Sequence, residues 1–138
     1  MQLSILSPEK RLVTAVDVSS VTLPGSEGQI QILPEHADMI GTLETGPFAY
    51  ELTSGTSAKG VITAGFFQVR DGAITVAAET VELAGDIDLN RAKTAQKTAE
   101  GALNDPELDP KLFRKYELKL QRALIRQQVA SHGGMSRE

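Results

Sequence analysis

The spacing of apolar residues changes once along this chain, and that change limits what it can fold into. From Met1 to about Leu83 apolar and polar residues alternate in short runs: Leu3 and Ile5; Val16 and Val18; Val21 and Leu23; Ile30 and Ile32; Phe48, Tyr50 and Leu52; Ile74, Val76 and Ala78. A period of two puts every second side chain on one face of a strand. Beyond Ala84-Gly85, Ala92, Ala95, Ala99 and Ala102 recur at i, i+3, i+7 and i+10, which is one face of a helix. The expected fold is therefore mixed, β then α. An N-terminal antiparallel β-sandwich occupies residues 1–84, and a C-terminal antiparallel α-helical hairpin occupies residues 85–138.

Turn residues place the strands. Ser7-Pro8-Glu9-Lys10, Pro24-Gly25-Ser26-Glu27-Gly28 and Thr53-Ser54-Gly55-Thr56-Ser57 read as turns between strands. Ser19-Ser20 interrupts the alternation between Val18 and Val21 and suggests a bulge or a change of register. Val61-Ile62 and Phe66-Phe67-Gln68-Val69 flank Ala64-Gly65, a point of bending or close approach. Asp71-Gly72 suits a type I′ hairpin turn, in which both central residues need positive φ. Many short half-buried strands favour an antiparallel arrangement over βαβ units, whose strands would be continuously apolar.

The helices carry their own start signals. Asp86 or Asp88 is placed to cap the first. Pro106 and Pro110 forbid its continuation through residues 104–110, and Asp109-Pro110 starts a second helix with an acid cap and Pro at the first helical position. Phe113, Tyr116, Leu120, Ala123 and Leu124 form its expected buried stripe, and it should end near Ser131-His132-Gly133-Gly134. Burying a methyl contributes about 0.8 kcal/mol, against ~1.5–3 kcal/mol for Leu or Phe. A first helix with mainly alanine to offer should thus hold its neighbours weakly, giving a helical pair near marginal stability that can leave its resting place when a better partner appears.

Charge divides the chain at the same place. Residues 1–110 carry 7 Lys and Arg against 16 Asp and Glu, and residues 111–138 carry 7 against 2, within an overall net charge of −4. A basic tail on an acidic body points to an acidic partner. With no cysteine, disulfides and thiolate chemistry are excluded. The two histidines, His36 and His132, have no ligand at helical spacing, and no nucleophile elbow, P-loop or dinucleotide fingerprint occurs. No apolar run approaches the ~18 residues of a membrane span. Met1 to Leu6 runs straight into the alternating pattern, which predicts no signal peptide. A non-catalytic protein is expected, working through surfaces. From residues alone, a free-standing β-sandwich binding module with a basic helix for an acidic or nucleic-acid partner is an alternative. The net negative charge and the lack of interleaved exposed aromatics weigh against nucleic acid.

The order of landmarks resembles one family along nearly the whole chain. Leu3 to Pro8, the stretch Leu23-Pro24-Gly25-Ser26-Glu27-Gly28-Gln29-Ile30-Gln31-Ile32-Leu33-Pro34-Glu35-His36-Ala37, then Leu43 to Gly46, Ala64 to Val69, Ala78 to Glu82 and Ile87-Asp88 are similar to the epsilon subunit of bacterial and chloroplast F-type ATP synthases. That family usually has Gly at the positions of Gln31, Glu35 and Ala64, so this copy departs there.

The resemblance implies a non-catalytic central-stalk subunit that couples proton-driven rotation to ATP synthesis and inhibits ATP hydrolysis through its C-terminal helices. The implied partners are the gamma subunit, the proteolipid ring of the membrane sector and the alpha/beta catalytic hexamer. The implied place is peripheral, on the cytoplasmic face of the bacterial inner membrane or, alternatively, the stromal side of a thylakoid. Glu27, Gln29, Glu35 and His36 are the expected rotor contacts. Lys111, Arg114, Lys115, Lys119, Arg122 and Arg126 are the expected inhibitory contacts with the catalytic subunits; a solvated basic face is the alternative that the residues alone allow. No cofactor is required, but some members bind regulatory ATP between the helices, and Glu82, Ile87, Asp88, Arg91, Ala92, Arg122 and Arg126 stand at the matching positions. Guanidinium groups suit phosphate oxygens, while N-capping alone would also explain Asp88.

Overall fold

A computed structural model describes residues 1–133, with side chains as far as Ala130. Seven strands come first: β1 (Gln2–Leu6), β2 (Arg11–Gly25), β3 (Gly28–Ile32), β4 (Met39–Leu43), β5 (Gly46–Leu52), β6 (Ser57–Arg70) and β7 (Ala73–Leu83). A single 3-10 turn (Ala84–Asp86) leads into α1 (Leu89–Leu103) and α2 (Pro110–Gly133). Gly134 and the His132 side chain lie outside the described residues.

The long strands make the sandwich. β2 pairs with β1 along its first half and with β5 and β3 along its second. β6 pairs with β5 up to Gly46↔Ile62, then with β4 from Leu43↔Gly65, and with β7 for most of its length. Because β1 also pairs with β7, the path β1-β7-β6-β5-β2 closes on itself. Inside lie Leu3, Ile5, Val21, Leu23, Ile32, Ile62 and Val76, all fully buried. Among the described residues no helix residue belongs to this core.

One pair departs from the antiparallel pattern: β1 and β7 run parallel, from Gln2↔Ala73 to Leu6↔Ala77. The reason is topological. Five strands close the ring, and directions cannot alternate around an odd number, so one neighbour pair must be parallel. The first and last strands, joined by no hairpin, take that role.

The bulge falls where the serines predict, with β2 shifting register against β5 between Val18 and Ser20. The Asp71-Gly72 turn has φ of 51° and 77°, as a type I′ turn requires. Strand β4 has no counterpart in the alternation read from the sequence. Its inward positions are Met39, Gly41 and Leu43, while Ile40 points out and is 71% exposed. Gly41 faces Phe67 across the β4–β6 pair. A Cβ there would stand 2.6 Å from Cε1 of that ring, so the aromatic fills the place of the missing side chain and hides the apolar period.

Asp88 is the N-cap of α1, its Oδ1 accepting from the Arg91 N–H at 3.1 Å. Asp109 caps α2 by accepting from the Lys111 N–H at 3.0 Å. The alanine face of α1 is turned inward, with Ala92 and Ala99 buried. The α2 stripe needs correction. Tyr116, Leu120 and Ala123 turn inward, but Phe113 and Leu124 are 43% and 46% exposed. The cause is that α2 is covered on two sides, by α1 along the line of Ala123 and by the sheet along the line of Val129. Phe113 and Leu124, about three turns apart, share the line that neither covers.

Candidate functional site: the hairpin seam and an exposed sheet face

The hairpin lies down on the sandwich, and α2 makes the contact. It packs on β6, β5 and the 3-10 turn, whereas α1 rests chiefly on α2. Two polar contacts fix the seam. Arg126 Nε donates to Glu82 Oε1 at 2.6 Å, joining α2 to the end of β7, with both side chains about one-third exposed. Gln127 Nε2 donates to Gln96 Oε1 at 2.7 Å, joining the helices to each other. One turn before Arg126, Arg122 turns inward, and its Nε is buried without a hydrogen-bond partner among the described residues. The seam therefore holds two guanidinium groups and one carboxylate, a surplus of positive charge out of full contact with water. Val129 borders a crevice that it shares with Phe48, Ala49 and Lys59 of the sheet.

The residues singled out for nucleotide are only partly brought together. Glu82 and Arg126 pair at the seam, and Arg122 stands one helical turn before Arg126 on the same side of α2. Ile87 follows the 3-10 turn, its N–H donating to Ala84 O at 3.3 Å. Asp88 is occupied as a cap, Ala92 is buried against α2, and Arg91 is exposed on α1 beside Asn90, Thr94 and Ala95. Among the cations of α2, Lys111, Lys115 and Lys119 lie at four-residue spacing on the side of the helix that carries Arg122 and Arg126, since 100° per residue keeps all five within one narrow arc. All three are exposed. Lys119 sits over the Tyr116 ring at 5.4 Å, and Arg114, off this arc, pairs with Glu117 at 3.7 Å.

The four residues expected at the rotor separate. Glu27 is at the tip of the β2–β3 hairpin, Gln29 within β3, and Glu35 and His36 in the turn after β3. Glu27 and Glu35 are thus at opposite ends of a strand whose four steps span about 13 Å. Gln29 borders the crevice beneath Gln128 and Val129, on the hairpin side.

A surface that sequence reading missed lies on the outer face of β4, β6, β7 and β1. Ile40 and Phe66, 71% and 52% exposed, stand diagonally across the β4–β6 pair. Next to them a groove of about 440 Å³ has Ala64, Gly65, Ala77 and Ala78 as its floor and Leu6, Pro8 and Phe66 as its walls. Large exposed apolar patches mark binding surfaces. The signal was present: in a strand Phe66-Phe67 cannot both face the core, and Phe67 is the buried one.

Comparison with known proteins agrees with this architecture. Residues 1–84 match the family model described as ATP synthase, Delta/Epsilon chain, beta-sandwich domain, and residues 86–131 match that of the long alpha-helix domain. A protein of Geotalea daltonii named ATP synthase epsilon chain is 37% identical over 134 residues, covering 97% of this chain and 96% of that one. One of the same name from Herpetosiphon aurantiacus is 37% identical over 130 residues, covering 94% and 93%. Among solved structures, a chain of the Euglena gracilis mitochondrial ATP synthase superposes with a TM-score of 0.83 at 20% identity, covering 93% of this chain and 79% of that one. A chain of the Tetrahymena thermophila mitochondrial ATP synthase central stalk and c-ring gives 0.64 at 16%, covering 94% and 96%. At these identities the structures speak for the fold. The sequence matches speak for more, and they leave the free-standing binding module without support. The chain belongs to the delta/epsilon chain family of ATP synthases.

Proposed function

We propose that this protein is the non-catalytic epsilon subunit in the central stalk of an F-type ATP synthase, a rotor plate with a releasable arm. The observation that carries the reading is how the hairpin is attached. Among the described residues the core of the sandwich draws on no helix residue, and one ion pair, Arg126 to Glu82, joins the arm to the sandwich beside the buried Val129. Such an arm can leave without unfolding the plate.

In this reading the apolar face of Ile40 and Phe66 packs on the gamma subunit, and an end of the sandwich turns to the proteolipid ring. The subunit then sits peripherally at the cytoplasmic face of a bacterial inner membrane; among the described residues no helix is long and apolar enough to cross one. When released, α2 presents Lys111, Lys115, Lys119, Arg122 and Arg126, which share one arc, to the catalytic hexamer, while Phe113 and Leu124 lie on the opposite side of the helix. A row of cations along one side of a helix suits an acidic partner surface. Release in that direction blocks ATP hydrolysis.

Regulatory ATP is the ligand that fits the seam. The unpartnered Arg122 Nε and the nearby Arg126 offer donors to phosphate oxygens, and a nucleotide bound there favours the folded-down arm by mass action. Hydrolysis by the stripped synthase should fall when the full chain is added back and stay uninhibited with residues 1–85 alone. Equal inhibition by the two would remove the role of the arm. Calorimetry with ATP tests the ligand separately, and no heat at millimolar nucleotide would remove it.

A further inference from the structure

The hairpin consists of two unlike halves. Its inner half, residues 89–99 and 122–130, holds every buried residue of the helices among the described residues: Ala92, Ala99, Ala123 and Val129. The two polar contacts, Arg126 to Glu82 and Gln127 to Gln96, lie there as well. The outer half, residues 100–121, contains no buried residue, and Leu112 and Phe113 are 42% and 43% exposed. Half-buried Tyr116 and Leu120 are the most that it offers to packing beside Leu103 and Leu118.

The helix ends that meet in this outer half work against it. Gly101 lies inside α1, exposed, with no atom within 4 Å of where its Cβ would stand, so no close approach asks for a glycine there. An interior glycine lowers the helix equilibrium about four- to fivefold relative to alanine. Glu100, beside it, lies in a last turn without a basic residue, and beyond the Asp109 cap the first turn of α2 has no acid and carries Lys111. Both charges oppose the helix dipole. No residue between Leu103 and Pro110 has positive φ, so α1 also ends without a Schellman turn.

Building on the releasable arm proposed above, we infer that its outer half opens as a unit, melting at Gly101, while the inner half stays latched on the sheet. This opening breaks neither the Arg126–Glu82 pair nor the Gln127–Gln96 bond. The arm is thereby set at two separate places, with Gly101 governing partial opening and Glu82 governing full release.

Amide exchange of the full chain reads the two events separately. Residues 112–120 should exchange at one common rate, roughly tenfold or more faster than residues 123–130. Gly101→Ala should slow residues 112–120 about four- to fivefold, although a methyl group at 101 would reach no atom of α2. Glu82→Gln should quicken residues 123–130 and leave residues 112–120 unchanged. A single rate throughout α2, or an equal response of both segments to Glu82→Gln, makes the hairpin one unit and overturns the inference. Rates graded inward from Pro110 would show simple end fraying, and an unaltered rate at residues 112–120 in Gly101→Ala would remove the melting point; each overturns it too. If all of α2 exchanges only as slowly as the sandwich, the releasable-arm reading itself falls.

Discussion

Neutralising Glu82 should loosen the arm while leaving the sandwich intact. Its carboxylate accepts from Arg126 at 2.6 Å, with the two side chains 31% and 32% exposed. A hydrogen bond to a charged group contributes about 1.5–3 kcal/mol, and a fully exposed ion pair ~0.2–1 kcal/mol. A pair one-third exposed falls between, so Glu82→Gln should cost about 1–1.5 kcal/mol of docking free energy, roughly a five- to tenfold shift toward the released arm. Glu82 is the better partner to change because α2 keeps all its cations. Amide exchange should quicken by that factor in α2 from Gln121 to Ala130, and amides of β6 and β7 should keep their protection. In the assembled synthase the same change should deepen inhibition of hydrolysis. Arg126→Met and the double variant complete a cycle whose coupling energy should be of the same size. Equal loss of protection in α2 and the sandwich would show arm and plate to be one cooperative unit. Unchanged α2 exchange would show that the ion pair does not latch it.

Deleting residues 86–138 should leave a folded sandwich with a cooperative melt, because among the described residues the core cluster draws on no helix residue; a molten product by near-UV circular dichroism would contradict this. Gly65→Ala should destabilise by about 3 kcal/mol in urea titration, since the new Cβ would meet the Ala77 carbonyl oxygen and stand 2.7 Å from Ala78 Cα, with only backbone to yield. Burial raises the Tyr50 phenol pKa above 10.0. The unfolded chain therefore loses that proton first, and stability falls as pH climbs from about 10 toward the folded value. Tyr50→Phe should flatten that part of a urea-midpoint profile; an unaltered slope would assign the loss to other groups.

Much of the architecture is local and therefore legible in residue order. The type I′ turn is dictated by Asp71-Gly72, the bulge by Ser19-Ser20, the second helix by Asp109-Pro110, and the change of period by the residues either side of Ala84. Each depends on backbone preferences of a few neighbours. The candidate sites were read by type and by resemblance, so their members were named without their relations. Glu27 and Glu35 are eight residues apart in sequence yet at opposite ends of β3, and a loop-by-loop reading could not separate them.

What the amino-acid order determines by itself is the succession of a plate and a weakly held helical pair, with acid in one and base in the other. Period, turn chemistry and charge count are properties of short segments and survive without knowing which segments meet. The tertiary structure decided the rest. An odd ring of strands forced β1 and β7 parallel; packing Phe67 over Gly41 turned Ile40 outward; covering α2 on two sides left Phe113 and Leu124 bare. Each of these outcomes depends on residues distant in the chain competing for the same space, and no local preference encodes which of them is buried.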